Sequence, residues 1–278
     1  MLEKFMESYK LLIIIPMIVV ILSVGLIAFN GLNEGIELKG GSIATIKLNE
    51  PIPSPVLENQ LKTALNVDEV DILNNNGNDV TLEIGTEVNP ASFASALSGK
   101  GQVISYNSIG PVLSDEALGQ VYWAMLFAFI FMSITVFIIF REIVPSIAII
   151  LAAASDIIIA IGGMSLFNIP LSIASVGAIL MLIGYSVDTD ILLTTRVLRR
   201  REGKVVDRAK EAMKTGLTMS ITAIASMVVL YAVTVIFIPQ ASTLSNIAAV
   251  LIFGLLADIL TTWFMNLGMI RWYMEWRT

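Results

Sequence analysis

The sequence predicts an α-helical membrane protein of six transmembrane helices, with one small α+β domain between helices 1 and 2. Three observations predict it. The 278 residues are 56% hydrophobic and only 14% charged, against about 45–50% and about 25% in soluble domains, and mean hydropathy is +0.81. Long apolar runs occupy residues 11–28 and most of 119–270. Between them, residues 30–118 are rich in Asn, Asp, Glu, Pro and Gly, and their apolar residues alternate in short segments.

Composition also excludes whole classes of function. The chain has no cysteine and no histidine, which removes disulfides, thiol nucleophiles, Ser-His-Asp triads and the usual zinc and haem ligands. No cofactor and no metal are expected. A net charge of −6 argues against a nucleic-acid partner, since such binders carry basic surfaces. No G-x-x-x-x-G-K-[ST] phosphate loop occurs.

Leu11 to Ala28 is an almost uncharged run, flanked by Lys4 and Lys10 and about 27 Å long as a helix. It reads as the first span, completing a segment 1–29. A cleaved signal peptide has an apolar region of only about 7–15 residues followed by small residues at the cut, and no A-x-A site follows here.

Residues 30–118 read as strand Gly41–Leu48, helix Pro55–Leu65, strand Asp68–Leu73, an Asn-Asn-Gly-Asn turn, strand Asp79–Ile84, helix Pro90–Leu97 and strand Gly101–Asn107. The order βαββαβ is that of the ferredoxin-like plait. Residues 119–278 then carry five further spans, near 122–140, 144–167, 171–195, 217–238 and 244–268.

Basic residues orient the chain. With a cytoplasmic N-terminus, 13 of the 17 Lys and Arg fall on the cytoplasmic side; only Lys39, Lys47, Lys62 and Lys100 fall outside, in the same domain as 12 acids. Both termini are expected in the cytoplasm and residues 30–118 outside it. The most basic segment, a loop over 196–215, holds Arg196, Arg199, Arg200, Arg201, Lys204, Arg208, Lys210 and Lys214. It reads first as a topology determinant, the competing reading being contact with anionic membrane lipids or ribosomal RNA.

Four acids lie inside apolar spans: Asp156, Asp188, Asp190 and Asp258. Each costs about 2.5–3.5 kcal/mol at mid-span, so each is a candidate for function. Asp156, Asp188 and Asp258 fall within roughly 10 Å of one another in depth and are expected to form one polar cluster. Each also sits in a stripe of small residues at three- and four-residue spacing, where helices approach closely: Ala152, Asp156, Ala160 and Gly163; Ala174, Gly177, Met181, Gly184 and Asp188; Leu251, Gly254, Asp258 and Thr261. Asp190 lies about 200° round an intact helix from Asp188 and ranks second. Arg196, two turns beyond Asp188, reaches the cytoplasmic boundary, where its side chain can snorkel to water. Alternating exposure of shielded carboxyls to the two sides of a membrane would let them take up and release protons; the competing reading makes them neutral packing residues.

Five segments appear in order: Gly35-Ile-Glu-Leu-Lys-Gly-Gly41, Ser108-Ile-Gly-Pro-Val112, Asp156-Ile-Ile-Ile-Ala-Ile-Gly162, Gly184-Tyr-Ser-Val-Asp188 with Arg196 downstream, and Gly254-Leu-Leu-Ala-Asp-Ile-Leu-Thr-Thr262. Together they resemble the SecF family in its archaeal form, over nearly the whole chain. The resemblance implies half of a resistance-nodulation-division-type transporter that pairs with SecD and assists the channel subunits of the Sec translocon in exporting preproteins across the cytoplasmic membrane. It implies no enzyme activity. It also implies a proton gradient acting through intramembrane acids and a fourth-span arginine, for which Asp156, Asp188 and Arg196 are the matching positions. One departure stands out: the family's fourth span carries Asn-Asp after Gly-Tyr-Ser-x, whereas here Asp188 is followed by Thr189 and Asp190.

Two other readings compete. A small-molecule exporter on the same transporter half needs an outside cavity larger than one domain of this size supplies. An intramembrane aspartyl protease needs two facing carboxylates, for which Asp188 and Asp258 are the available pair, but the G-x-G-D and Tyr-Asp signatures are absent.

Overall fold

A computed structural model describes residues 9–199, 205–238 and 241–277. The expectations placed on Lys4, Arg200, Arg201 and Lys204 lie outside these residues, as does the side chain of Arg199. The described chain divides into two units, one formed by residues 34–122 with 171–173 and the other by the remaining helices.

In the first unit a short helix α2 (Ile36–Lys39) leads into β1 (Gly41–Leu48), followed by α3 (Ser54–Leu65), β2 (Val70–Asn76), β3 (Asp79–Ile84), α4 (Pro90–Ala96) and β4 (Gly101–Ile109). Helix α1 (Tyr9–Asn30) precedes them in the other unit. The four strands pair antiparallel in the order β2-β3-β1-β4, which is the ferredoxin-like arrangement. Alternation explains the face that is covered. Ala44, Ile46 and Leu48 of β1 and Val80, Leu82 and Ile84 of β3 point to one side, where Leu57, Leu61 and Phe93 of the two helices close an apolar core.

On the opposite face Thr45 and Thr81, direct partners in the register, share a hydroxyl hydrogen bond of 3.3 Å, and Lys39 pairs with Glu83 at 2.7 Å. Gly41 enters β1 at φ +132°, and a Cβ there would lie 2.5 Å from the Ile84 carbonyl oxygen. Only glycine fits that approach. Residues 77–78 make the β2–β3 turn; Gly77 takes φ +81° and its N–H donates to Asn75 Oδ1 at 3.1 Å.

The second unit contains α1, α6 (Ile143–Leu166), α8 (Val205–Phe237), α9 (Ser242–Leu260), a π-helical turn (Thr261–Asn266) and α10 (Leu267–Arg277), with most of α5 (Pro111–Phe140) and α7 (Ile173–Arg199). The last three elements run on as one helical rod, so six helices among the described residues are long and apolar enough to cross a membrane. They run past the apolar stretches the sequence marks. Helix α7 continues to Arg199 and α8 starts at Val205, so the basic segment 196–215 is helical on both sides of residues 200–204 rather than a loop.

Burial sorts these helices. Only 6% of the apolar window of α5 and 11% of that of α8 are buried, against 50% in α6, 56% in α7 and 61% in the last rod. Phe131, Ile138 and Val229 are among the exposed apolar side chains, as a lipid-facing surface requires. Small residues set the close contacts. A Cβ on Gly163 would meet the Phe253 ring at 2.8 Å, one on Gly254 the Leu182 side chain at 2.3 Å, and one on Gly216 the Trp263 ring at 2.3 Å. Gly163 and Gly254 therefore lie at close approaches to side chains of neighbouring helices. Gly177 and Gly184 have open space around them.

Candidate functional site

Three helical elements converge on a polar centre inside the membrane unit. Helix α6 supplies Asp156, α7 supplies Ser186, Thr189, Asp190 and Thr194, and the last rod supplies Asp258, Thr261, Thr262 and Asn266, all with 0% exposure. Side chains four residues apart stack on one helix face. Ser186, Asp190 and Thr194 form such a column on α7, and Asp258, Thr262 and Asn266 form another on the facing rod. The π-helical turn adds a local widening that coincides with two adjacent residues, Thr261 and Thr262, both directed inward.

Each carboxylate is held by donors from other positions. Asp156 accepts from the Ser186 hydroxyl at one oxygen and from the Thr261 hydroxyl at the other. Asp190 Oδ1 accepts from Asn266 Nδ2 at 2.7 Å and lies 2.9 Å from Thr262 Oγ1. The same Thr262 oxygen lies 3.0 Å from Asp258 Oδ1. Asn266 Nδ2 also reaches Thr194 Oγ1 at 3.4 Å. Inside a bilayer these hydrogen bonds take the place of water at the oxygens they reach.

The structure brings Asp156, Asp190 and Asp258 together and leaves Asp188 out. Asp188 is exposed on the outer face of α7 with Gly177, Met181 and Gly184. The expected cluster of Asp156, Asp188 and Asp258 is therefore corrected by one substitution, Asp190 for Asp188. The reason lies in helix geometry: α7 stays helical through this stretch, its inward positions are Ser186, Asp190 and Thr194, and Asp188 faces away from them. The Asp188–Asp258 pair that a protease reading requires is not formed. Arg196 is not in the cluster; its Nη1 donates to the Glu211 carbonyl at 3.4 Å.

Ser186, Thr194, Thr262 and Asn266 were not singled out from the sequence as site residues. Their signal was available: Ser186-Asp190-Thr194 and Asp258-Thr262-Asn266 repeat at a strict four-residue spacing in otherwise apolar spans. Small residues at the same spacing drew attention to the opposite face of α7.

Residues 91–276 match the family "Protein export membrane protein SecD/SecF, C-terminal" and residues 25–52 match the "SecD/SecF GG Motif". The second match contains Gly40 and Gly41 at the entry to β1. The chain is 58% identical over 278 residues to the protein-export membrane protein SecF of Methanothermobacter thermautotrophicus, covering 100% of this chain and 97% of that one. It is 42% identical over 275 residues to SecF of Methanocaldococcus jannaschii, covering 96% of each.

Among solved structures, SecDF of Thermus thermophilus, described as a translocon-associated membrane protein, superposes with a TM-score of 0.81 at 18% identity, covering 98% of this chain and 38% of that longer one. A heavy metal efflux pump superposes with a TM-score of 0.53 at 14% identity, over 85% of this chain and 35% of the pump. These two share the fold. Identity over the full length, both family matches and the glycine pair lead to one conclusion: the chain belongs to the SecF family of protein-export membrane proteins.

Proposed function

We propose that the chain is the SecF half of a SecD–SecF complex that assists the Sec translocon in exporting preproteins across the cytoplasmic membrane, driven by the proton-motive force through Asp156, Asp190 and Asp258. It is an accessory of the translocon channel subunits, not a catalyst. Both termini are cytoplasmic and residues 30–118 lie outside, in keeping with the placement of 13 of 17 basic residues on the cytoplasmic side. The basic segment around Arg196 faces anionic membrane lipids.

The observation that carries the proton reading is the polar centre: three carboxyls, fully buried in the membrane unit, held only by hydroxyl and amide donors. Groups as costly as these persist in a membrane where they move ions or protons. Asp188 supports the partnership. A carboxyl exposed at mid-span costs about 2.5–3.5 kcal/mol against lipid, and the small residues beside it, Gly177 and Gly184, leave room for another helix. SecD is the partner that covers this face.

The test is purification of the tagged chain from native membranes in mild detergent, with identification of what accompanies it, followed by export measurements on variants. SecD and translocon subunits are expected to co-purify. Asp156→Asn, Asp190→Asn and Asp258→Asn are expected to keep that association and lose gradient-dependent export, whereas Asp188→Leu weakens the association itself. A stable lone homo-oligomer would overturn the partnership and favour the small-molecule exporter. Normal gradient-dependent export by all three Asn variants would overturn the proton reading.

A further inference from the structure

Thr262 occupies an unusual position in the polar centre. Its Oγ1 lies 2.9 Å from Asp190 Oδ1 and 3.0 Å from Asp258 Oδ1, and all three residues have 0% exposure. A threonine hydroxyl has one hydrogen to donate and lone pairs with which to accept, whereas an ionised carboxylate only accepts. One hydroxyl therefore cannot serve two ionised carboxylates. Both contacts are hydrogen bonds only when one carboxyl is protonated and donates to Oγ1 while Oγ1 donates to the other. The second oxygens of Asp190 and Asp258 are buried and have no hydrogen-bond partner among the described residues, where the Thr262 hydroxyl is the group that reaches both acids.

We infer that Thr262 is the proton bridge of the membrane unit, linking Asp258 and Asp190 as a pair that holds a single proton. The inference rests on the reading that these acids carry protons, and it names the group that connects them. In the transfer, the O–H bond of the protonated carboxyl breaks as its proton binds Oγ1. The hydrogen already on Oγ1 passes to the other carboxylate, and each electron pair stays on its oxygen. One proton enters and one leaves Thr262, so its hydroxyl is restored with the hydrogen-bond direction reversed. No oxidant, metal or third reactant takes part.

The surroundings suit that role. Asn266 Nδ2 holds Asp190 Oδ1 at 2.7 Å, and Asp258 sits one turn before Thr262 on the same rod. Thr261, the neighbour in the π-helical turn, engages Asp156 instead. The titratable groups packed around the bridge are Asp156 from α6 and Tyr185 from α7. Every hydrogen-bond partner of the three acids among the described residues is a hydroxyl or an amide, so no cation takes the place of the shared proton.

The test uses the full chain with its co-purified partner, in membranes, and compares Thr262→Val, which keeps the shape and removes the hydroxyl, with Thr262→Ser, which keeps the hydroxyl. Two readouts are taken: gradient-driven export and the infrared carbonyl band of protonated carboxyls at neutral pH. Wild type is expected to show such a band, lost in both Asp190→Asn and Asp258→Asn because the proton belongs to the pair. Thr262→Val should shift that band and slow gradient-driven export about 100-fold, the lower end of what a positioned proton-transfer group contributes, while Thr262→Ser restores most of it.

If Thr262→Val exports normally while Asp190→Asn does not, the bridge is wrong and the role of the acids stands. If both Asn variants export normally, the reading beneath it fails as well. If Thr262→Ser is as impaired as Thr262→Val, the residue acts through its methyl group and the bridge is overturned. Should Thr262→Val not accumulate, absence of the paired band in wild type is itself enough to overturn the inference.

Discussion

The two units of this molecule differ in what they bury beside their apolar side chains. In the sheet unit, Ala44, Ile46, Leu82, Ile84 and Phe93 close an apolar core, and polar pairs such as Thr45–Thr81 and Lys39–Glu83 lie on the other face of the sheet. In the membrane unit, apolar side chains such as Phe131 and Ile138 lie outside, and fully buried carboxyls, hydroxyls and an amide share the interior with apolar side chains such as Leu193, Val197 and Ile270. The difference follows from the solvent. Water drives apolar surface inward, whereas lipid is as apolar as leucine and gives no such force, so helices meet through small residues and through polar groups that satisfy one another. Hydroxyls show the contrast within the second unit. On α8, Thr218, Thr222 and Ser226 each donate to the carbonyl four residues back at 2.7–3.0 Å, while Ser186 and Thr261 donate across helices to Asp156.

Removing apolar volume should be most costly where burial is driven by water. Phe93 has 0% exposure beneath the sheet, and Phe93→Ala is expected to destabilise that unit by about 3–5 kcal/mol. Hydrogen exchange of the full chain should show faster exchange across β1 to β4 and unchanged protection in α6, α7 and α9. Equal loosening of both units would break the comparison. In the membrane unit the sensitive change is added volume. Gly216→Val drives a side chain into the Trp263 ring, which a Cβ alone approaches to 2.3 Å, at an expected cost of about 3 kcal/mol. A lower thermal midpoint in detergent would register it; an unchanged midpoint would mean that α8 does not pack there.

A charge removed from the centre should matter more than one removed from the rim. Asp190→Asn retains volume and an acceptor oxygen for Asn266 Nδ2 and Thr262 Oγ1, but it sets an NH2 at the buried position of Oδ2, which has no hydrogen-bond partner, for an expected loss of about 2 kcal/mol. Asp188→Asn, on the exposed face, is expected to change the stability of the isolated chain by less than about 0.5 kcal/mol. Thermal unfolding of the two variants side by side sharpens the assignment of faces. Equal losses would place Asp188 in the interior after all.

The sheet unit was legible in the sequence almost residue by residue. Strand alternation in Gly41–Leu48 and Asp79–Ile84, helix starts at Pro55 and Pro90 and the Asn-Gly turn are local signals, and they fix both the elements and the buried face. What escaped was α2, four residues long, the placing of β2 at Val70–Asn76 instead of Asp68–Leu73, and the extension of β4 to Ile109. The membrane unit was legible in number of spans and much less in detail. Apolar residues occupy every side of a span, so hydropathy does not reveal which side faces inward. Small residues predict the packing side of α7, yet Gly177 and Gly184 are open. The reliable mark was the recurrence of polar side chains every four residues, which places Asp190 and Asn266 inside. The π-helical turn has no signal in periodicity, since it depends on how Thr261 and Thr262 reach two different acids.

A comparably small effect is expected at the Lys39–Glu83 ion pair beside the sheet. Burial lowers the charge preference of Lys39, but the hydrogen bond to Glu83 and the nearby charges of Glu83, Glu69 and Asp71 outweigh it, so the net shift of its pKa is upward from 10.5. A raised folded-state pKa means that the charged form stabilises the fold. That contribution is complete below the ordinary lysine value and is lost as pH rises through the folded-state value. Lys39 is partly exposed, which limits the pair to about 0.2–1 kcal/mol. Lys39→Met should therefore weaken protection of the sheet slightly at pH 8, and the gap between variant and wild type should close at strongly alkaline pH. A gap that persisted there would assign the loss to the packing of the lysine stem instead. The sheet unit would then rely on apolar contact on both faces, and the contrast with the membrane unit would be sharper than the ion pair suggests.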